Sequence, residues 1–212
     1  MGRCAALFCC VAVLSGCVGP PQARRPAVKP VPVAAELTQC LASLDHLRAR
    51  YSLVEGQSAG TGCSTISTIK LTHAAVPITN ITAIRCPLAL ALTAWVQGPL
   101  QTAARQYFDS KVVRIESVGA YACRNIIGSV NSGAKRSEHA SANAVDIGGF
   151  VLADGRRVSV KGGWNGRADE QKFLRAVRGD ACKAFQTVLS PDYNAAHHDH
   201  LHFDMGRGPF CR

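Results

Sequence analysis

The sequence predicts an α+β domain in which helices pack against a small antiparallel sheet. Early in the chain, apolar residues recur at three- and four-residue intervals, which is the periodicity of an amphipathic helix. After Asp109 the pattern changes to short β-branched runs in which polar and apolar residues alternate, with one more helical stretch between them. Six widely spaced cysteines add disulfide staples to this expected core.

The first 16 residues have the organisation of an export signal. Arg3 precedes the apolar run CAALFCCVAVL, which is too short to cross a membrane as a helix. The run ends in LSGC, which resembles a bacterial lipobox, whose cysteine is acylated and begins the mature protein. We therefore predict a signal peptide over residues 1–16 and an exported, periplasmic lipoprotein anchored to a membrane through Cys17. An ordinary cleaved signal, in which Cys17 is incidental, is the alternative.

Charge and length describe the rest of the chain. Residues 17–35 are rich in proline and predict an extended tether, and residues 36–212 are long enough for one domain with a single core. The net charge is +10, which loss of the signal lowers to +9. A basic exported domain suits anionic polymers of the cell envelope or lipid headgroups. Nucleic acid is not an expected partner, because the exported chain shows no basic helix and no series of aromatic residues for stacking.

Helical periodicity marks the first part of the domain. The segment ELTQCLASLDHLRARY predicts one helix. The segment CPLALALTAWVQGPLQTAARQYF predicts a second, with Pro87 near its start and a break at Gly98-Pro99. Residues 56–84, between the two, are rich in Gly, Ser, Thr and β-branched residues and predict short strands and loops.

Strand patterns dominate the second part. KVVRIESVGAY predicts a strand, and NAVDIGGFVLADGRRVSV predicts two strands joined at Asp154-Gly155, a favoured hairpin dipeptide. DEQKFLRAVRGDACKAFQTVL predicts a helix with one apolar face. HLHFDM alternates polar and apolar residues and predicts a last short strand.

Six cysteines lie outside the signal and the predicted lipid site. An even number at wide spacings in an exported chain predicts three disulfides, and all fifteen pairings remain open. A cysteine-bound zinc ion is disfavoured because no CxxC pair occurs among them. The six are Cys40, Cys63, Cys86, Cys123, Cys182 and Cys211.

Two segments carry residue types that bind metals. In SEHASANAVDI, His139 and Asp146 are separated by six residues, and Asp146 lies between apolar residues at the start of a predicted strand. In AAHHDHLHFD, His200 and His202 alternate with apolar residues, so on a strand both imidazoles project to one face. Imidazole and carboxylate are good zinc ligands, and three protein ligands with an open position form the catalytic arrangement. Metal binding would therefore give the clustered histidines a common use.

The order GAYACR, SEHASANAVDI and HHDHLHFD resembles the bacterial extensin-like C-terminal domain family over most of residues 36–212. The half that holds the motifs is more distantly similar to the zinc D,D-peptidases of the D-Ala-D-Ala carboxypeptidase and hedgehog-like group. In those peptidases a Ser-x-His-x6-Asp pattern supplies two metal ligands, which correspond to His139 and Asp146. The second histidine of a His-x-His pair supplies the third, which corresponds to His202. The resemblance implies one Zn2+ ion held by these three side chains.

The same resemblance implies roles for neighbouring residues. His197 and His200 occupy the positions of histidines that flank the reacting water in part of the group. Asp199 occupies the position of a glutamate base elsewhere in it, so the base is one of these three. Asp204 is expected to orient a ligand imidazole, or to be a surface residue that ends a strand. Substrate contacts are implied for Tyr121, Arg124 and Ser137.

One position departs from the family pattern. Ala142 stands where the family typically has a glycine between the first histidine and the aspartate. If the backbone has positive φ there, alanine strains the loop by about 1 kcal/mol.

The function implied by the resemblance is zinc-dependent hydrolysis of amide bonds in peptidoglycan peptides. The alternative is a non-catalytic envelope lipoprotein that binds peptidoglycan and retains the metal site. A disulfide-stapled scaffold without a metal is a third possibility. The three differ in metal content and in cleavage of wall peptides.

Overall fold

The computed structural model describes residues 33–59, 62–127 and 135–212, together with Met1. The predicted signal peptide beyond Met1, the predicted lipidation site Cys17 and residues 17–32 of the predicted tether lie outside the described residues. Pro32–Arg212 forms one compact unit. No helix in the described part of this chain has the length and apolar character needed to span a membrane.

Helices and short strands both contribute to this unit, which confirms the predicted α+β class. The helices are α1 (Val33–His46), α2 (Cys86–Trp95), α3 (Gln101–Phe108), α4 (Val160–Gly163) and α5 (Ala168–Ala184). The strands are β1 (Arg50–Leu53), β2 (Ser58–Ala59), β3 (Cys63–Ser64), β4 (Thr68–Ala74), β5 (Val76–Pro77), β6 (Ile84–Arg85), β7 (Val112–Gly119), β8 (Ala144–Leu152), β9 (Arg157–Ser159), β10 (Thr187–Leu189), β11 (Leu201–Asp204) and β12 (Phe210–Cys211).

The largest sheet has the strand order β12-β10-β11-β8-β7, and β9 also pairs with β8. Its pairs are antiparallel except for β10 and β12, which are parallel. The β8–β9 hairpin turns at Asp154-Gly155 as predicted, and Gly155 takes the positive φ of 88° that this turn needs. A smaller sheet has the order β1-β4-β5 with β6 also on β4, and β2 pairs with β3.

One face of the largest sheet is apolar and supports the core. On β8 and β11, the buried residues Val145 and Phe203 are opposite one another, since a strand alternates its side chains between two faces. Trp95 of α2 packs against Phe203 and Phe150, and Phe173 of α5 packs against Phe150. The helices thereby cover the apolar face and leave the opposite face for polar side chains.

The predicted break at Gly98-Pro99 was wrong, because the backbone stays helical there. Val96–Leu100 forms a π-helical turn with Pro99 inside it, and this turn joins α2 directly to α3. Proline has no N–H to donate, and a π turn accommodates the missing bond without ending the helix. The later helix is shorter than predicted: α5 ends at Ala184, and Thr187–Leu189 is strand β10.

The six cysteines form three disulfides, as predicted. Cys40–Cys86 joins α1 to α2, and Cys182–Cys211 joins α5 to β12. Cys63–Cys123 joins β3 to the segment that follows β7. Each bond links parts of the chain that are 29 to 60 residues apart.

Candidate metal centre

The polar face of β8 and β11 carries two of the three predicted metal ligands. Asp146 and His202 are direct partners in the antiparallel register, so their side chains project to the same side of the sheet. His202 Nδ1 lies 2.9 Å from Asp146 Oδ1. Both residues are 7% exposed, which is unusual for a charged carboxylate and requires compensating partners.

A short 3-10 helix brings the third predicted ligand to this pair. The Glu138–Ser141 turn is capped by Ser137, whose hydroxyl accepts the backbone N–H of His139 at 3.3 Å. His139 Nε2 then lies 3.1 Å from Asp146 Oδ2 and 3.2 Å from His202 Nδ1. The structure therefore brings together His139, Asp146 and His202, which are 63 residues apart at most.

The outer nitrogens of the two imidazoles are held by acceptors. His139 Nδ1 lies 2.7 Å from the carbonyl oxygen of Ala120, so this nitrogen carries the hydrogen and donates it. His202 Nε2 lies 2.9 Å from Asp204 Oδ2, and the backbone N–H of Gly206 donates to the other oxygen of Asp204 at 2.8 Å. These contacts direct the lone pairs of His139 Nε2 and His202 Nδ1 toward Asp146.

The three inner atoms fit a small cation. The three groups converge closely: the two imidazole nitrogens lie 3.2 Å apart, and each lies within 3.1 Å of a different oxygen of the Asp146 carboxylate. All three are electron-pair donors in the tautomers described above, so they repel one another unless a proton or a metal lies between them. Bond lengths of roughly 2.0–2.2 Å in a tetrahedral zinc site separate ligand atoms by about 3.3 Å. The group therefore matches a metal site of this size, with its fourth side open to the cleft.

Without a metal, a proton takes the place of the cation. Burial by itself lowers the pKa of His202, but its hydrogen bonds with Asp146 and Asp204 outweigh burial and raise that pKa to about 9. Burial raises the pKa of Asp146, but hydrogen bonds with His139 and His202 outweigh it and hold that pKa well below its usual range. The metal-free site is therefore an ion pair at neutral pH, with Asp146 ionised and His202 protonated.

His200 lies at the edge of the group. Its Nε2 is 3.6 Å from Asp146 Oδ1, so the ring faces the three predicted ligands. Its Nδ1 is 2.9 Å from Asp199 Oδ1. Asp199 thus lies on the far side of the His200 ring and does not line the cleft.

His197 lines the cleft above His202, with ring centroids 5.8 Å apart. Its Nδ1 lies 2.7 Å from the side-chain oxygen of Asn194 and donates to it, which leaves Nε2 as an acceptor. Burial, followed by the charges of His200 and His202, lowers the pKa of His197 to about 4. Asn194 also caps the Ala195–His197 turn, and its place just before that turn was the sequence signal that could have identified it.

A cleft of about 280 Å³ opens next to these imidazoles. Arg124 and Ser137, two of the predicted substrate contacts, line it. Tyr121, the third, is not among the lining residues, and its role stays a prediction. Asp204 lines the cleft floor beside His202, where it is positioned to orient that ring.

Ala142 has the backbone conformation for which glycine is the usual choice. Its φ is 53°, in the left-handed region, and its side chain is fully buried. Its carbonyl accepts the N–H of Arg85 at 2.8 Å, which ties the loop to β6. The loop therefore bears the predicted strain of about 1 kcal/mol, yet His139 and Asp146 on either side of it still converge.

Comparisons with known proteins place the chain in a family. No curated protein and no solved structure matches it. The family model described as "Extensin-like protein C-terminus" matches residues 38–212, which includes all the candidate site residues and all six disulfide cysteines. Since that match covers most of the chain, the protein belongs to the extensin-like C-terminal family.

Proposed function

We propose that this protein is a zinc-dependent hydrolase that cleaves amide bonds in peptidoglycan peptides. The observation that carries the proposal is the convergence of His139 Nε2, Asp146 and His202 Nδ1 within 3.2 Å of their neighbours, beside a cleft that His139 and His202 line. Two further imidazoles border this group. A purely structural metal site has four protein ligands and no need of them.

These three side chains would hold the metal. Two imidazole nitrogens and one carboxylate, without a thiolate, form a donor set of the catalytic zinc type. A zinc ion bound there would supply Lewis acidity toward the scissile carbonyl and would make water acidic enough to react near neutral pH. Ala120 and Asp204 would hold the two ligand rings in the required tautomers.

His200 is the base that this geometry favours. Asp199 accepts the hydrogen of its Nδ1, which leaves Nε2 as an acceptor on the side of the metal group. From there Nε2 can take a proton from the attacking water and deliver it to the nitrogen of the leaving amine. Asp199 contributes by orienting His200.

His197 and Arg124 complete the proposed machinery. The lowered pKa of His197 keeps it neutral at pH 7, so its Nε2 can accept a hydrogen bond from water or substrate. Arg124 lies half-buried in the cleft wall, where its guanidinium can bind a substrate carboxylate or the developing oxyanion. Ser137 lines the same wall.

The substrate and the location are supported by composition. A net charge of +10 favours association with anionic wall polymers, and the LSGC segment favours export to the periplasm and attachment to a membrane through Cys17. Peptidoglycan peptides, with no nucleic-acid partner, are consistent with that compartment. Resemblance to the zinc D,D-peptidases supplies the amide bond as the target.

Metal content and cleavage, measured separately, test the proposal. Purified protein is analysed for metal by mass spectrometry and incubated with muropeptides, whose products are separated by chromatography. We expect about one zinc per chain and cleavage of a peptide amide. His200→Ala should keep the zinc and lose at least about 100-fold in rate. His46→Ala is the matched control, because this histidine is exposed on α1 and does not line the cleft; it should change neither.

Each other outcome identifies a different function. Zinc without cleavage of any wall peptide would replace the hydrolase with a peptidoglycan-binding lipoprotein. Protein without any metal would indicate a disulfide-stapled scaffold. Equal loss of cleavage in the His46 and His200 variants would remove His200 from the proposed role.

A further inference from the structure

Exposed apolar side chains concentrate in the cleft beside the candidate metal centre. After Met1, eight large apolar side chains in the described residues are at least 40% exposed, and half of them line this cleft. Clustered apolar surface of this kind marks a place where a ligand removes it from water. The four are Ile126, Ile127, Tyr193 and Phe210.

The aromatic part of this surface continues directly from the metal centre. The ring of His197 lies 5.8 Å from that of His202, Tyr193 lies 5.5 Å from His197, and Phe210 lies 5.7 Å from Tyr193. Side chains on one face of an extended peptide lie roughly 7 Å apart. A peptide that runs from the metal centre along these rings would bring a side chain near its scissile amide to the Tyr193 end of the cleft.

This aromatic wall is held in place before any ligand binds. The backbone N–H of Phe210 donates to the carbonyl of Gln186 at 2.8 Å, and the neighbouring Cys211 is bonded to α5. The N–H of Tyr193 donates to the carbonyl of Ser190 at 2.9 Å. A backbone that is fixed before binding lowers the ordering cost of forming this wall.

Two arginines line the same cleft. Arg124 and Arg136 both contact Asn125, through its backbone oxygen at 3.3 Å and its side-chain oxygen at 2.8 Å respectively. Arg124 and Arg136 both line the cleft, as does Glu138, whose carboxylate accepts a hydrogen bond from the side-chain amide of Asn143 at 2.7 Å. Two guanidiniums near each other favour a ligand carboxylate.

We propose that Tyr193, Phe210, Ile126 and Ile127 form a specificity subsite for an aliphatic side chain next to the scissile amide, in a peptide that also presents a carboxylate to Arg124. This inference rests on the proposed function and names its substrate class. The two isoleucines favour an aliphatic group over a sugar ring, since sugars bind through flat aromatic faces together with polar partners. Tyr193 and Phe210 determine specificity and take no part in proton transfer.

Matched peptides test the subsite. The substrates are N-acetylated dipeptides acetyl-X-alanine, in which X is glycine, alanine or leucine in both configurations. Each peptide is prepared with a free C-terminal carboxylate and with a C-terminal carboxamide, and is added to zinc-loaded protein. Binding is measured by calorimetry and cleavage by chromatography. For one configuration, we expect the leucine peptide to exceed the glycine peptide by about tenfold in affinity or kcat/KM. The carboxamide peptides should bind more weakly by about tenfold or more.

Substitutions test which residues cause the preference for leucine over glycine. Tyr193→Ala and Phe210→Ala should each reduce the leucine-to-glycine ratio severalfold. Leu53→Ala, at another exposed apolar residue outside the cleft, is the matched control and should leave the ratio unchanged. Ile127→Ser provides a second test if an aromatic substitution lowers stability, because this exposed side chain contributes little to the core.

The outcomes separate this subsite from the proposed function. Tighter binding of the leucine peptide without cleavage supports the subsite and contradicts the hydrolase. Cleavage with equal rates for leucine and glycine contradicts the subsite and leaves the hydrolase standing. Failure of every dipeptide to bind overturns the subsite, as does tighter binding of an N-acetylglucosamine disaccharide than of any peptide.

Discussion

Replacing Asp204 by asparagine isolates the control of one candidate ligand by its neighbour. One oxygen of Asp204 accepts from the backbone N–H of Gly206 at 2.8 Å, and the other lies 2.9 Å from His202 Nε2. Asparagine has the same shape and keeps the bond to Gly206. Its NH2 group then faces Nε2, which has to give up its hydrogen. The proton moves to Nδ1, the atom that has to bind the metal.

The size of the effect follows from the burial of this contact. For His202 to bind metal through Nδ1, its hydrogen has to return to Nε2. There, Nε2–H faces the NH2 group of the asparagine, and two buried donors facing each other cost about 1–3 kcal/mol. We expect the metal dissociation constant to increase by about 10- to 100-fold. That change equals about 1.4–2.8 kcal/mol of binding free energy.

Competition with a chromogenic chelator at pH 9 provides the measurement. The pH matters because Asp146 and Asp204 together raise the pKa of His202 to about 9, so at pH 7 the wild-type site loses affinity to a proton that the variant holds less tightly. Asp154→Asn, in the exposed β8–β9 turn, is the matched control and should bind metal as the wild type does. An Asp204→Asn affinity within about twofold of wild type at pH 9 would refute the orienting role of Asp204.

Three other predictions concern the proton at the site, the strained loop and one disulfide. The neutral form of His202 becomes available only as pH rises toward its raised pKa of about 9, so metal affinity should increase about tenfold from pH 7 to pH 8. Calorimetry in buffers of different ionisation enthalpy should detect the release of about one proton when the metal binds. Binding without proton release would contradict this prediction. Ala142→Val should lower the free energy of unfolding by more than about 2 kcal/mol, since a β-branched residue is disfavoured at positive φ in a buried place. Ala142→Gly should change it by less than about 1 kcal/mol, because relief of strain offsets the lost methyl contacts; equal effects of the two in urea unfolding would exclude strain as the cause. Replacing both Cys182 and Cys211 by serine opens a loop with a sequence separation of 29 and should cost about 3–4 kcal/mol in the same assay, where a loss below about 1 kcal/mol would count against it.

Several features of the candidate site could be predicted because they depend on short stretches of chain. The spacing of His139 and Asp146, and the alternation of His200 and His202, are patterns confined to short stretches of chain, although His200 lies just before β11 and not on it. The positive φ at Ala142 was raised as a condition by the family resemblance, in which a glycine usually stands at this position. Helix and strand identities followed from periodicity over ten to twenty residues.

Other features depend on contacts between distant segments, and no local pattern encodes them. The candidate base Asp199 lies behind His200 because the His200 ring, just before β11, faces Asp146 of β8. The carbonyl of Ala120 orients His139 through a contact that spans 19 residues. A backbone oxygen has no signature in the residue type that bears it, so a sequence cannot mark this role.

By itself, the sequence determined the α+β class, the number of disulfides and the residue types at the candidate metal centre, because hydrophobic periodicity and motif spacing act over a few turns of chain. Only the tertiary structure decided how the six cysteines pair, that Asp146 and His202 share a register position, and that Tyr193 and Ile127 line one cleft. These outcomes are set by the order of strands in the sheet and by the packing of helices on its apolar face. They arise when segments far apart in sequence bury their surfaces together.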